Sequence, residues 1–110
     1  MNEIKAYIRP ALGYQVIRAL KAAGMRNLSL LHVKGIGTLE DPLTEEYDAE
    51  VIEKSSDMLK IEIICTSHDV ETFVGIIKQF AQTGKPGDGA IFISTIGRAV
   101  KIRTGEEGLE

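Results

Sequence analysis

Residues 3–9 alternate apolar and polar positions and put Ile4, Ala6 and Ile8 on one face, which predicts a half-buried β-strand. Pro10 ends that strand and suits the first position of a helix. Leu12, Val16, Ala19, Leu20 and Ala23 then recur at helical spacing, and Gly24 is a natural stop just past them. Residues 27–33 read as a second strand, with Leu28, Leu30 and His32 to one side. Residues 58–66 read as a third, with Leu59, Ile61, Ile63 and Cys65 sharing a face. Ser67 or Thr66 can cap the helix that follows, and Asp69 and Glu71 suit its positive end. Val70, Phe73, Val74, Ile77, Phe80 and Ala81 form its apolar stripe, and Gly84 is the expected closing residue. Residues 90–94 predict a fourth strand and residues 100–103 a short fifth.

The order is strand, helix, strand, a long loop, then strand, helix, strand. Two such units predict an α+β, ferredoxin-like βαββαβ fold, with a four-stranded antiparallel sheet and both helices on one face. The other face is then uncovered and includes Ile64. An apolar open face calls for a partner, and self-association is the simplest one.

Composition narrows the function. The 110 residues suit one domain over 1–110, with 44% hydrophobic and 26% charged residues in the ordinary globular range. A net charge of -3 argues against nucleic acid as the main partner. Cys65 is the only cysteine, so no intramolecular disulfide forms, and its apolar neighbours make it a small buried hydrophobe rather than a reactive thiol. No signal peptide or membrane-length apolar run is present, and a cytoplasmic location without membrane insertion is expected. His32 reads as a solvent-facing edge residue, and His68 at a helix start carries no assigned role.

Residues 38–57 change character. Glu40, Asp41, Glu45, Glu46, Asp48, Glu50, Glu53 and Asp57 are half of the chain's 16 acids, against Lys54 as the only base. A loop this long inside a compact domain is commonly functional or mobile, although a plain solvated loop has the same composition. Its acids, with Tyr47, suit contact with a basic partner surface or a cation.

The candidate chemistry lies in the last quarter. Thr83-Gly84-Lys85-Pro86-Gly87-Asp88-Gly89 is a glycine-rich turn opening into the apolar run Ala90-Ile91-Phe92-Ile93. Backbone N–H groups exposed by such a turn can cradle an anion, while an ordinary connecting turn has the same residues. Lys101 and Arg103 alternate with Val100 and Ile102 and are expected on one face of the fifth strand, either as anion partners or as a solvated basic edge. Val33-Lys34-Gly35-Ile36-Gly37 adds a glycine pair after a strand, without the third glycine and helix of a dinucleotide fingerprint. No Ser/His/Asp or Cys/His set and no metal-ligand cluster stands out, so the chain reads as a non-enzyme with no catalytic or metal residues.

At these positions the chain resembles the P-II signal-transduction proteins. The matching segments are Ile8-Arg9-Pro10, Val33-Lys34-Gly35-Ile36-Gly37, Lys60-Ile61-Glu62, the turn from Thr83 to Gly89 with Ile91-Phe92, and Ile102-Arg103-Thr104-Gly105-Glu106. The resemblance implies a ferredoxin-like homotrimer that binds an adenine nucleotide (ATP, ADP or AMP, with or without Mg) in clefts between subunits. It also implies that residues 38–57 are the T-loop, which docks on a protein partner such as a membrane transporter. Carried over by position, Gly87, Asp88 and Gly89 present backbone N–H groups to the phosphates, and Gly35 and Gly37 bracket them at the base of the loop. Lys101 and Arg103 reach across from the neighbouring subunit, and Ser29 and Ile64 line the adenine and ribose.

Several positions depart from the pattern and suggest a divergent member. The phosphate-binding lysine after the Gly-Asp-Gly turn is Ala90 here, and one lost charge-assisted hydrogen bond is worth about 1.5–3 kcal/mol. At the 2-oxoglutarate site the glutamine is Leu39 and the lysine is Met58, which predicts that 2-oxoglutarate is not sensed. The tyrosine uridylylated in some members is Val51, and Tyr47 lies at a different position. Divergent members serve bicarbonate handling, carboxysome-linked functions and heavy-metal efflux, so an ion- or metal-responsive module is the alternative expectation.

Overall fold

A computed structural model describes residues 1–35 and 56–108. Strand β1 (Asn2–Ile8) runs into a 3-10 turn (Pro10–Leu12) and helix α1 (Gly13–Ala22), followed by strand β2 (Ser29–Gly35). Strand β3 (Ser56–Cys65), helix α2 (Ser67–Ala81) and strand β4 (Ala90–Thr95) complete the second unit. The sheet order is β2-β3-β1-β4, with every pair antiparallel. This is the ferredoxin-like arrangement expected from the two βαβ units.

The alternation in β1 determines which face is buried. Ile4, Ala6 and Ile8 stand opposite Ile63, Ile61 and Leu59 of β3, and all six are buried. Val16 and Leu20 of α1 and Phe73, Ile77 and Ala81 of α2 complete the same core, so both helices cover one face. Gly13 lets α1 approach closely, since a Cβ there would sit 2.6 Å from Leu59 Cδ2. Helix α2 lies over β1 and β3, with α1 packed beside it. Leu28 still packs against the core, but Leu30 and His32 on the β2 edge stay exposed.

Helix ends follow local chemistry, with one correction. Gly24, at φ 98°, ends α1: its N–H donates to Lys21 O and that of Met25 to Leu20 O. Gly84 does not close α2. That helix stops at Ala81, with Gln82 already extended, and Gly84 (φ 81°) belongs to the turn beyond. Thr66 takes the extended cap position of α2, but its hydroxyl donates to the Asp69 carboxylate instead of accepting a helix N–H. Cys65 is half-buried, and burial pushes its thiol pKa up, as suits an inert packing residue.

The fifth strand does not form. Val100 makes one isolated bridge to Glu107, and residues 102–104 are a turn closed by Lys101 N–H to Glu106 O and Gly105 N–H to Lys101 O. Gly105 takes φ 74° and the Thr104 hydroxyl accepts the Glu106 N–H, so turn chemistry overrides the brief alternation of apolar and cationic residues. Arg98 pairs with Glu107 at the base of this small hairpin.

The sheet face away from the helices carries Lys5, Tyr7, Leu31, Lys60, Glu62, Ile64 and Phe92. Phe92 meets Tyr7 edge-on at 5.9 Å between centroids, and Lys60 Nζ lies 5.6 Å from the Tyr7 centroid. Phe92 is still 50% exposed and Leu31 43% exposed, so this face presents apolar area that no described element covers. No helix among the described residues is long and apolar enough to cross a membrane.

Candidate functional site

The turn from α2 into β4 is organised around one carboxylate. Asp88 Oδ2 accepts the backbone N–H groups of Thr83 (2.8 Å) and Gly84 (2.9 Å), and Oδ1 accepts the Thr83 hydroxyl (2.5 Å) and Arg9 Nε (3.1 Å). Arg9 also donates through Nη2 to Pro86 O at 2.7 Å, and the Thr83 hydroxyl accepts the Lys85 N–H. The Thr83 hydroxyl, the two backbone N–H groups and the Arg9 guanidinium together hold the Asp88 pKa down to about 2. Both carboxylate oxygens are thus turned toward the loop itself.

Two glycines let the backbone follow this course. Gly87 and Gly89 take φ 95° and 94°, conformations that cost other residues dearly. Gly89 also crosses the end of β1: a Cβ there would lie 1.8 Å from Tyr7 O and 3.0 Å from Met58 Cε. Ala90, next along, pairs with Tyr7 and opens β4.

Beside this turn is a cleft of about 330 Å³ lined by Arg9, Pro10, Ala11, Asp57, Met58, Pro86 and Gly87. Asp57 lies in β3 at the end of the sheet where it pairs with Lys34 of β2. Lys34 Nζ binds it at 2.6 Å, and this hydrogen bond and charge lower its pKa. Gly35 is buried at the same end of the sheet, opposite Ser56. The structure therefore gathers Gly35, Gly87, Asp88 and Gly89 at one end.

The other expected residues lie at the far end. Ser29 pairs with Glu62 and Ile64 with Glu3, so Ser29 and Ile64 are near one another on the open face. They stand six positions along β2 from Gly35 and along β3 from Met58, about 20 Å at the usual strand rise. The tail leaves from that end too, since Ile96 N–H donates to Met1 O beyond the last β4 pair. Lys101 is half-buried and Arg103 exposed in the tail hairpin, not side by side on a strand. Gly37, Leu39, Val51 and the loop residues Glu40, Asp41, Glu45, Glu46, Tyr47, Asp48 and Glu50 fall outside the described residues. Among those described, no group of three or more His, Cys, Asp or Glu is placed to hold a metal.

Sequence reasoning assigned Asp88 only through its backbone and gave Arg9 and Thr83 no role. The Thr83-to-Asp88 spacing within one turn was a usable signal, because Asp and Thr side chains often bond nearby backbone N–H groups. Arg9 could not be found this way, because 79 residues separate it from Asp88.

The model of the nitrogen regulatory protein P-II family matches residues 1–106. The chain belongs to the P-II family. It is 41% identical to nitrogen regulatory protein P-II 2 of Methanothermobacter thermautotrophicus, over 98% of this chain and 94% of that one. It is 37% identical to nitrogen regulatory protein P-II of Bradyrhizobium diazoefficiens over 100% and 98% of the two chains. Against nitrogen regulatory protein P-II 1 of Escherichia coli it is 37% identical over 97% and 96%. P-II membership supports a signalling, regulatory role rather than an enzymatic one.

Proposed function

We propose that the protein is a nucleotide-responsive regulator, and that an adenine nucleotide sets its loop between β2 and β3 for or against a partner protein. The phosphates would meet the backbone of residues 87–89 and the stem at Gly35 and Gly37. Ser29, Ile64, Lys101 and Arg103 would come from a second copy. The observation that carries this reading is the separation of the two residue sets by about a strand length, since one chain cannot close both around a single small ligand. The exposed Leu31 and Phe92 on the open face support association of copies, as a homotrimer in keeping with the family.

The effector is an adenine nucleotide rather than 2-oxoglutarate. Met58, only 2% exposed, puts a thioether into the cleft wall where pairing with a carboxylate needs a cation. Isothermal titration with ATP, ADP and AMP tests the proposal; absence of heat with all three at millimolar concentration overturns it. Arg103→Ala should weaken binding without altering the turn at residues 83–89. Ala90→Lys should tighten ATP binding about ten- to a hundredfold, since it restores one charge-assisted hydrogen bond at the start of β4. An unchanged affinity in that variant would show that position 90 does not face the phosphates.

A further inference from the structure

The contacts of Asp88 point to residues that act on this site by shaping its turn. Asp88 lies between the two glycines expected to receive the phosphates. A carboxylate projecting from that point would repel them. Here its two oxygens are engaged by four donors from the turn and from the end of β1. The Arg9 guanidinium neutralises it, bonds Pro86 O, and packs on Gly87, where a Cβ would lie 3.2–3.6 Å from guanidinium atoms. Arg9 thus holds Pro86, Gly87 and Asp88 together. Thr83 fixes the opposite side, with its hydroxyl donating to Asp88 and accepting from the Lys85 N–H.

We propose that Arg9 and Thr83 are positioning residues of the nucleotide site, which hold the backbone of residues 87–89 in its anion-receiving shape through the Asp88 carboxylate. Arg9 has a second task, which is to cancel the Asp88 charge beside the phosphates. The proposal rests on the nucleotide reading above and says which side chains set affinity there. It separates Arg9 from Lys101 and Arg103, which are expected to meet the ligand itself.

The test uses the full chain with substitutions Thr83→Val, Thr83→Ser and Arg9→Gln, titrated with AMP, ADP and ATP. Amide hydrogen exchange at Thr83 and Gly84, followed by NMR without nucleotide, reports the turn directly. Thr83→Val should weaken nucleotide binding about tenfold and speed exchange at both amides, at unchanged oligomeric state, while Thr83→Ser keeps the hydroxyl and stays within about twofold of the parent. Arg9→Gln should weaken ATP more than ADP and ADP more than AMP, because the uncovered carboxylate repels the more charged ligand more. An equal loss for all three removes the charge-cancelling role. Faster exchange in Thr83→Val and Arg9→Gln with unchanged affinities overturns the proposal, and the two Thr83 variants decide it if Arg9→Gln does not fold. If the parent protein binds none of the three nucleotides, the nucleotide reading fails first and this proposal falls with it. A parent that binds beside variants that bind equally well sinks this proposal alone.

Discussion

Gly89→Ala is expected to destabilise the protein on the order of 3–5 kcal/mol or prevent folding outright, read as a fall in the urea midpoint. Two effects combine. The residue takes φ 94°, and the added Cβ would fall 1.8 Å from Tyr7 O, with the Tyr7 carbonyl carbon at 2.7 Å. Those are backbone atoms of β1, whose next residue, Ile8, is in the core, so neither can move aside without disrupting the β1 pairing. Other glycines separate conformational strain from the clash. Gly84 has φ 81° but open space around it, so Gly84→Ala should cost about 1 kcal/mol. Gly97 has open space and no left-handed φ, so Gly97→Ala should be near neutral. A Gly89→Ala protein within about 1 kcal/mol of the parent would mean that the turn does not cross β1 as described.

Asp88→Asn should have the second largest effect and should change the response to acid. An amide offers one acceptor oxygen where the carboxylate receives four donors, so the variant should lose about 2–3 kcal/mol. The folded pKa of Asp88 is about 2, below the ordinary aspartate value of 3.8. A depressed folded pKa means that the unfolded chain takes up the proton first as pH falls. The Asp88 contribution is therefore complete above about pH 4 and disappears as pH drops toward about 2. Partial exposure and screening by solvent hold that pH-dependent part to about 1–2 kcal/mol. Urea unfolding at pH 6, 4, 3 and 2 would show the parent losing more stability than Asp88→Asn across the acid interval; parallel curves would place the carboxylate outside the network.

Much of the fold was legible because it rests on periodicity. The alternation around Ile4, Ala6 and Ile8 and around Leu59, Ile61 and Ile63 named the strand faces that are buried, and the stripe from Val70 to Ala81 named the inner side of α2. A strand face or helix stripe that must leave water imposes its period on the sequence. The misplaced elements were short and exposed. Residues 100–103 alternate for too few positions to outweigh the turn at Thr104 and Gly105, and Gly84 followed α2 closely enough to resemble its stop while belonging to the next turn.

The candidate site divides along the same line. The glycines at 87 and 89 announce, without coordinates, a backbone that other residues cannot follow. Tertiary structure alone brought Arg9 across from β1 to Asp88, set Gly89 against Tyr7 O, and put Ser29 and Ile64 a strand length from the turn. Sequence by itself thus determined the fold class, the buried faces and the glycine backbone of the turn, because those depend on side-chain period and local dihedral preference. Which distant groups meet was decided by the order β2-β3-β1-β4, because strand pairing converts separations of tens of residues into direct contact.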